Sequence, residues 1–297
     1  MGPEGSAAGE GFAQKTDFSY EVIAVDDGST DGSAGILERY RDRENFRLLT
    51  QSNRGISGAR NRGLREAMGR YLMFLDSDDF LPENAVQSLL YAAVCRNADI
   101  VQGSFRYLDQ SGSKILGLEK YENKGSVAPN GVLSGMAWGK VFRRELWQHV
   151  CFPEGYWFED TVITSLLTHL ASSIATVSDV VYCYRKNDRG ITRTSAGKPK
   201  SIDTFYVLRS VLEARRTLGL ETDSAFYEHL MRLMILCVQR TNREPLPVRK
   251  SIFTLLQVLL EQERCRAEVH LQKQYDQLEN LLIHGDYRRF RLLCTLW

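Results

Sequence analysis

The chain has 297 residues, of which 43% are hydrophobic and 25% charged, with a formal net charge of +1. Those proportions suit a soluble globular protein of one large domain with or without a helical extension, and the near-neutral balance gives no bulk case for a nucleic-acid partner. The most apolar stretch, LMRLMILCV at 230–238, is short and contains Arg232, so no membrane-spanning helix is expected.

The first eleven residues, MGPEGSAAGEG, are small and polar and lack the basic and apolar regions of a signal peptide; a disordered segment over 1–11 is expected. YEVIAV (20–25) reads as a buried strand stopped by DDGSTDGS (26–33), whose Asp, Gly and Ser are turn formers. A helix over 34–43, a strand over 46–51, and a glycine-rich loop turning into a helix within 53–69 follow. RYLMFLD (70–76) is a third strand, 82–97 a helix with Pro82 near its first turn, and 98–108 a fourth strand. Alternating strands and helices predict an α/β fold with a mostly parallel sheet covered on both faces. Residues 109–200 are more mixed, with aromatics beside charges at 135–147 and 155–170, and from 201 onward the pattern is mostly helical, punctuated by Gly219, Pro245 and Pro247. The six cysteines, Cys95, Cys151, Cys183, Cys237, Cys265 and Cys294, form no C-x-x-C pair. Free thiols in a cytoplasmic compartment are the simplest reading.

In sheets of this kind ligands gather at the carboxyl ends of the strands. Both acidic clusters, 26–31 and 76–79, fall at such ends. Asp76 and Asp78 have no neighbouring His or Cys, so oxygen ligands would favour a hard cation, Mg2+ or Mn2+, sharing its coordination with substrate phosphates. The competing account is that these acids are solvated turn residues or cap the helix after Pro82. Asp160 stands before an apolar stripe of Val162, Ile163, Leu166, Leu167 and Leu170. As a helix N-cap it would contribute about 1 kcal/mol.

VDDGSTDGS (25–33), NRGISGARNRG (53–63), FLDSDD (74–79) and FED (158–160), in this order, resemble the family 2 glycosyltransferases of the GT-A fold. The resemblance covers residues 12–200, leaving 201–297 as a helical C-terminal region. It implies an inverting transfer of a sugar from a nucleotide-diphosphate donor, most simply a UDP-sugar, to a hydroxyl of a saccharide or lipid-linked acceptor. Asp27 would contact the nucleotide base with Asp26 beside it. Asp76 would lie near the ribose, and Asp78 would bind Mn2+ or Mg2+ on the diphosphate. Arg60 and Asn61 would flank the nucleotide. In FED, Asp160 would be the general base and Glu159 its substrate-binding neighbour. Trp138 and Lys140 resemble an aromatic–basic stretch common in the family, with Trp138 read as core. Arg185 and Arg189 are weaker candidates for the diphosphate, read first as solvated charges.

Family members usually begin with one more strand, central in the sheet, before the strand at 20–25. Its absence is expected to leave ladder groups unpaired on a neighbour and to bare an apolar face. Two other readings follow from the residues: an inactive nucleotide-sugar-binding fragment of the same fold, and a phosphohydrolase using Asp76 as nucleophile. The basic and apolar tail DYRRFRLLCTLW (286–297) is either a packed terminal helix or a peripheral contact with an anionic membrane.

Overall fold

The computed structural model describes residues 14–128, 133–188, 190, 194–264 and 273–296. The expected disordered segment 1–11, Cys265 and Arg189 lie outside the described residues. The chain divides into two compact units, one running to Gly155 and resuming over Val162–Asp188, the other made of Tyr156–Thr161 and 189–297.

In the first unit, β1 (Val22–Asp26) and β2 (Phe46–Thr50) pair in parallel, from Val22 opposite Phe46 to Asp26 opposite Thr50. Parallel neighbours need a crossover, and a short helix, α1 (Ser33–Glu38), supplies it. Helix α2 (Gly55–Glu66) leads to β3 (Tyr71–Met73), and α3 (Ala85–Cys95) to β4 (Ile100–Leu108). Ala85, Leu89, Ala92 and Ala93 make the buried face of α3 at helical spacing.

The mixed middle of the sequence holds β5 (Ile115–Glu119), β6 (Lys140–Arg143) and β7 (Ile174–Arg185). One edge of β4 pairs in parallel with β7, from Ile100 opposite Ile174 to Leu108 opposite Arg185. Its other edge pairs antiparallel, first with β6 and then with β5. β6 is also antiparallel to β3. The strand–helix alternation therefore predicts β1–β2, but β5 and β6 reverse direction. The physical reason is the connection: Asp109–Gly112 is a tight turn, its Gly112 N–H donating to the Asp109 carbonyl at 2.9 Å, so β5 folds back directly. No helix intervenes to carry the chain across.

Among the described residues β1 pairs only with β2, and β3 only with β6. The sheet is thus parted between the two strands that carry the acidic turns. Val22, Ile23, Ala24 and Val25 are only partly buried.

Trp138, Tyr182, Phe105 and Leu89 sit in the core of this unit. A π-helical turn, Ile163–Leu167, continuing into α4 (Thr168–Leu170), matches the apolar stripe that follows Asp160 in the sequence.

The second unit is helical, as the sequence predicts. α5 (Asp203–Thr217), α6 (Ser224–Arg240), α7 (Leu246–Arg264), α8 (Lys273–Ile283) and α9 (Tyr287–Leu296) enclose a core that includes Phe205, Leu230, Met234, Leu256, Leu278 and Phe290. Asp223 caps α6 by accepting the Phe226 N–H at 2.7 Å. No described helix is long and apolar enough to cross a membrane. On α9, Phe290 and Cys294 are buried while Leu292 and Leu296 stand 60% and 75% exposed beside exposed Arg288 and Arg289.

Candidate active site

The first acidic turn is built by its own side chains. Asp26, buried at the end of β1, accepts the Ser29 N–H at 2.9 Å, closing the turn. Asp27 Oδ1 accepts from Gln51 Nε2 at 2.7 Å and from the Arg54 N–H at 2.9 Å, so the carboxylate ties the β1 turn to the loop before α2. Gly28 has φ of 77°, and a Cβ there would sit 3.0 Å from the Asn53 nitrogen. Only glycine lets the two loops approach this closely.

The second turn answers the charge problem that its acids raise. Arg60, on α2, meets Asp76 at 2.7 Å, with the two side chains 10% and 25% exposed. The guanidinium also lies over the rings of Phe152 and Phe74, at 5.3 and 5.9 Å. A cation on a short aromatic wall is well placed to neutralise an acid at a strand end.

Asp79 is fully buried. Its carboxylate accepts the Tyr182 hydroxyl at 2.8 Å and the Arg185 N–H at 2.7 Å. Burial, only partly offset by these bonds and aided by the neighbouring acids, pushes its pKa up to about 7. Tyr182 in turn accepts the Asp76 N–H at 3.2 Å and stacks on Trp138 at 4.4 Å, nearly parallel. Its phenol is pushed well above its usual range by burial and by Asp76 and Asp79. Arg185 Nε donates to the Asp78 carbonyl. The loop 76–79 is therefore fastened to β7 by four hydrogen bonds.

Asp78 is exposed; its Oδ2 accepts from Asn187 Nδ2 at 3.0 Å. Among the described residues no three acid, His or Cys side chains form a ready-made metal cage. An exposed carboxylate oxygen fits a hard cation that takes its other ligands from water and phosphate. If a divalent cation such as Mn2+ or Mg2+ binds here, Asp78 would be its ligand, with Asp76 beside it.

Asn61 is buried and turned inward. Its Nδ2 donates to the Phe152 carbonyl at 2.8 Å and to Glu154 at 3.2 Å, and its Oδ1 accepts the Phe152 N–H at 2.9 Å. Both ends of the amide are thus occupied by the 152–154 segment. The hydrogen bond from Asn61, followed by Arg54, holds Glu154 below the usual carboxylate range. Lys140 is fully buried, its ammonium donating to the carbonyls of Ser134, Met136 and Trp138. Trp138 is 4% exposed, matching its reading as core.

Glu159 and Asp160 belong to the second unit. Glu159 is buried and Asp160 half-buried, so Asp160 is the more accessible carboxylate. The turn bearing them is tight: Phe158 has φ of 66°, and its carbonyl accepts both the N–H and the hydroxyl of Thr161, at 3.2 and 2.8 Å. Asp203, at the start of α5, accepts the Trp157 N–H at 3.0 Å.

Residues 10–150 match the sequence family described as glycosyl transferase family 2. Glycosyltransferase GlyG of Streptococcus pneumoniae serotype 4 is 30% identical over 202 residues, covering 62% of this chain and 67% of that protein. The chain belongs to glycosyltransferase family 2. A second relative of this family 2 glycosyltransferase, the putative glycosyltransferase EpsH of Bacillus subtilis, is 24% identical over 296 residues, 83% of this chain and 85% of its own. The cholesterol galactosyltransferase of Borreliella burgdorferi is 30% identical over 181 residues, 54% of this chain and 51% of its own. Among solved structures, S. aureus TarS 1–349 in complex with UDP-GlcNAc superposes with a TM-score of 0.70 at 20% identity, over 94% of this chain and 84% of that 1–349 chain. That likeness establishes the GT-A fold.

Within this family 2 glycosyltransferase, sequence reasoning missed the groups that hold the motif acids in place. Gln51, Tyr182 and Asn187 each bond a motif aspartate, and Glu154 bonds Asn61 and Arg54. Arg185, read as a solvated charge, instead anchors the loop of Asp78 and Asp79.

Proposed function

We propose that this glycosyltransferase moves a sugar from a UDP-sugar to a hydroxyl of a saccharide or lipid-linked acceptor, with inversion at the anomeric carbon. The observation that carries the reading is the fixed pair of acidic turns at the ends of β1 and β3, with Asp27 bonded to the loop before α2 and Asp76 paired to Arg60. The UDP-GlcNAc bound by TarS, a protein of the same fold, supports a UDP-sugar as donor.

In this reading Asp27 and Asp26 shape the base pocket, Asp76 orients the ribose, and Asp78 holds the divalent cation. When bound, the cation supplies charge neutralisation to the departing diphosphate. Arg60 holds Asp76 in place. Asn61 acts from behind, fixing the 152–154 segment. Asp160 takes the proton of the acceptor hydroxyl as that oxygen attacks; a single direct displacement with one base gives inversion. Glu159, buried beside it, fixes the turn. The donor supply fits a cytoplasmic setting, and the Arg288, Arg289, Leu292 and Leu296 face of α9 suits peripheral contact with an anionic membrane.

The test is Asp160→Asn, assayed with UDP-GlcNAc and Mn2+. Donor affinity stays near wild type while sugar transfer, or UDP release with water as acceptor, falls at least a hundredfold. Retained turnover would remove Asp160 from the role of base.

A further inference from the structure

Within the helical unit, one cation faces the FED turn from a neighbouring helix. Arg240 ends α6, and its guanidinium carbon lies 3.9 Å from the centre of the Phe158 ring. Its Nη1 also donates to Thr204 Oγ1, on α5, at 3.1 Å. Thr204 is 4% exposed. Phe158 is the residue before Glu159 and holds a left-handed backbone, at φ 66°, which a non-glycine residue keeps only when its surroundings over-determine it. The stacked guanidinium on one side and the Thr161 bonds to the Phe158 carbonyl on the other supply that determination.

We infer that Arg240 is a positioning residue of the transfer reaction, clamping Phe158 so that the turn presents Asp160 and lending that carboxylate a fixed positive neighbour. The inference rests on the proposed role of Asp160 as base. It gives a role beyond the helix dipole, which already favours a cation here, to the half-buried arginine that ends α6. Burial draws the Arg240 guanidinium below its usual range, partly offset by the negative charge of Asp160, then of Cys237 and Glu159. The other charged groups around the turn are Asp203, on the Trp157 N–H, and Lys198 and Lys200, at 5.9 and 5.5 Å from the Trp157 ring. The two lysines lie over the tryptophan, and Lys200 also pairs with Asp203 at 3.8 Å.

The arrangement serves a base that must stay ionised until the acceptor arrives. A nearby cation favours the charged form of a carboxylate. It also fixes the direction from which the proton is taken, because a stacked, hydrogen-bonded guanidinium has little freedom to follow a moving turn.

The experiment compares the full chain with Arg240→Met, Arg240→Lys and Thr204→Val. The primary readout is the titration midpoint of the Asp160 carboxyl carbon, followed by NMR on protein carrying 13C-labelled aspartate and assigned with Asp160→Asn. The expected result is a rise of about one pH unit in Arg240→Met, a midpoint near wild type in Arg240→Lys, and a smaller rise in Thr204→Val. The second readout is the pH profile of UDP release from UDP-GlcNAc with Mn2+. Its acid limb moves up by the same amount in Arg240→Met, and kcat falls about tenfold with the donor KM unchanged. A folded Arg240→Met with an unmoved midpoint overturns the inference. Should Arg240→Met fail to fold, Thr204→Val decides: an unmoved midpoint together with wild-type kcat overturns it. Turnover surviving in Asp160→Asn would sink the base assignment instead, a separate outcome that leaves the measured coupling between Arg240 and Asp160 standing or falling by itself.

Discussion

Asn61 offers a sharp test, because the sequence motif and the structure give it different work. The motif places it beside the nucleotide; the structure spends both ends of its amide on Phe152. Asn61→Ala removes one acceptor and one donor from a site only 4% exposed. It thereby leaves the Phe152 N–H and carbonyl without partners, each costing about 1–3 kcal/mol when buried. The bond to Glu154 at 3.2 Å is lost as well, but Glu154 keeps Arg54 at 2.6 Å. The expected loss is about 3 kcal/mol of unfolding free energy, with no gain from a small cavity. Urea denaturation followed by circular dichroism at constant slope measures it. Donor affinity, measured at a temperature where the variant is folded, falls less than threefold. A loss under about 1 kcal/mol joined to a large loss of donor binding would refute the structural reading and restore Asn61 to the nucleotide.

Two further outcomes follow from the acidic turns. Arg60→Ala strips Asp76 of a guanidinium at 2.7 Å and uncovers Phe152, so stability falls by about 2 kcal/mol, less than for a fully buried pair, and Arg60→Lys recovers only part of it, as thermal melts will read. Asp79 governs a pH effect. Its folded pKa of about 7 lies above the ordinary 3.8, so the folded state holds the proton longer than the unfolded chain and stability falls as pH rises between those values. Between pH 5 and 8 in EDTA the wild type loses about 3 kcal/mol relative to Asp79→Asn; parallel denaturation profiles for the two proteins would contradict the burial argument.

The parts of this architecture that local sequence dictates are the parts that could be read from it. β1, β2 and β4 announce themselves as apolar runs closed by turn formers, and α5, α6 and α7 as long stripes at helical spacing. β3 is shorter than its apolar run: Phe74 makes only an isolated bridge to Trp138, because the chain must already bend to deliver Asp76. β6 was hidden because its four residues, KVFR, include a lysine that is buried by carbonyl groups from 134–138, a tertiary arrangement with no local signature. The site divides in the same way. Aspartates at strand ends are visible as a pattern. Tyr182, Gln51 and Asn187 act on them from 24 to 109 positions away in the chain, and nothing in their own neighbourhoods marks them. Arg240 is the extreme case, a helix-terminal arginine indistinguishable from a solvated one until Phe158 is seen beneath it.

The central claim is that the exposed carboxylate of Asp78 holds a dication that shares its coordination with the donor diphosphate. Calorimetric titration of UDP-GlcNAc into the metal-free chain, with and without Mn2+, tests it directly. Binding should need the metal, and Asp78→Ala should weaken the metal-supported affinity by at least tenfold while leaving the melting temperature of the unliganded chain within a few degrees. Equal affinity in the presence of EDTA, unchanged by that substitution, would contradict the account.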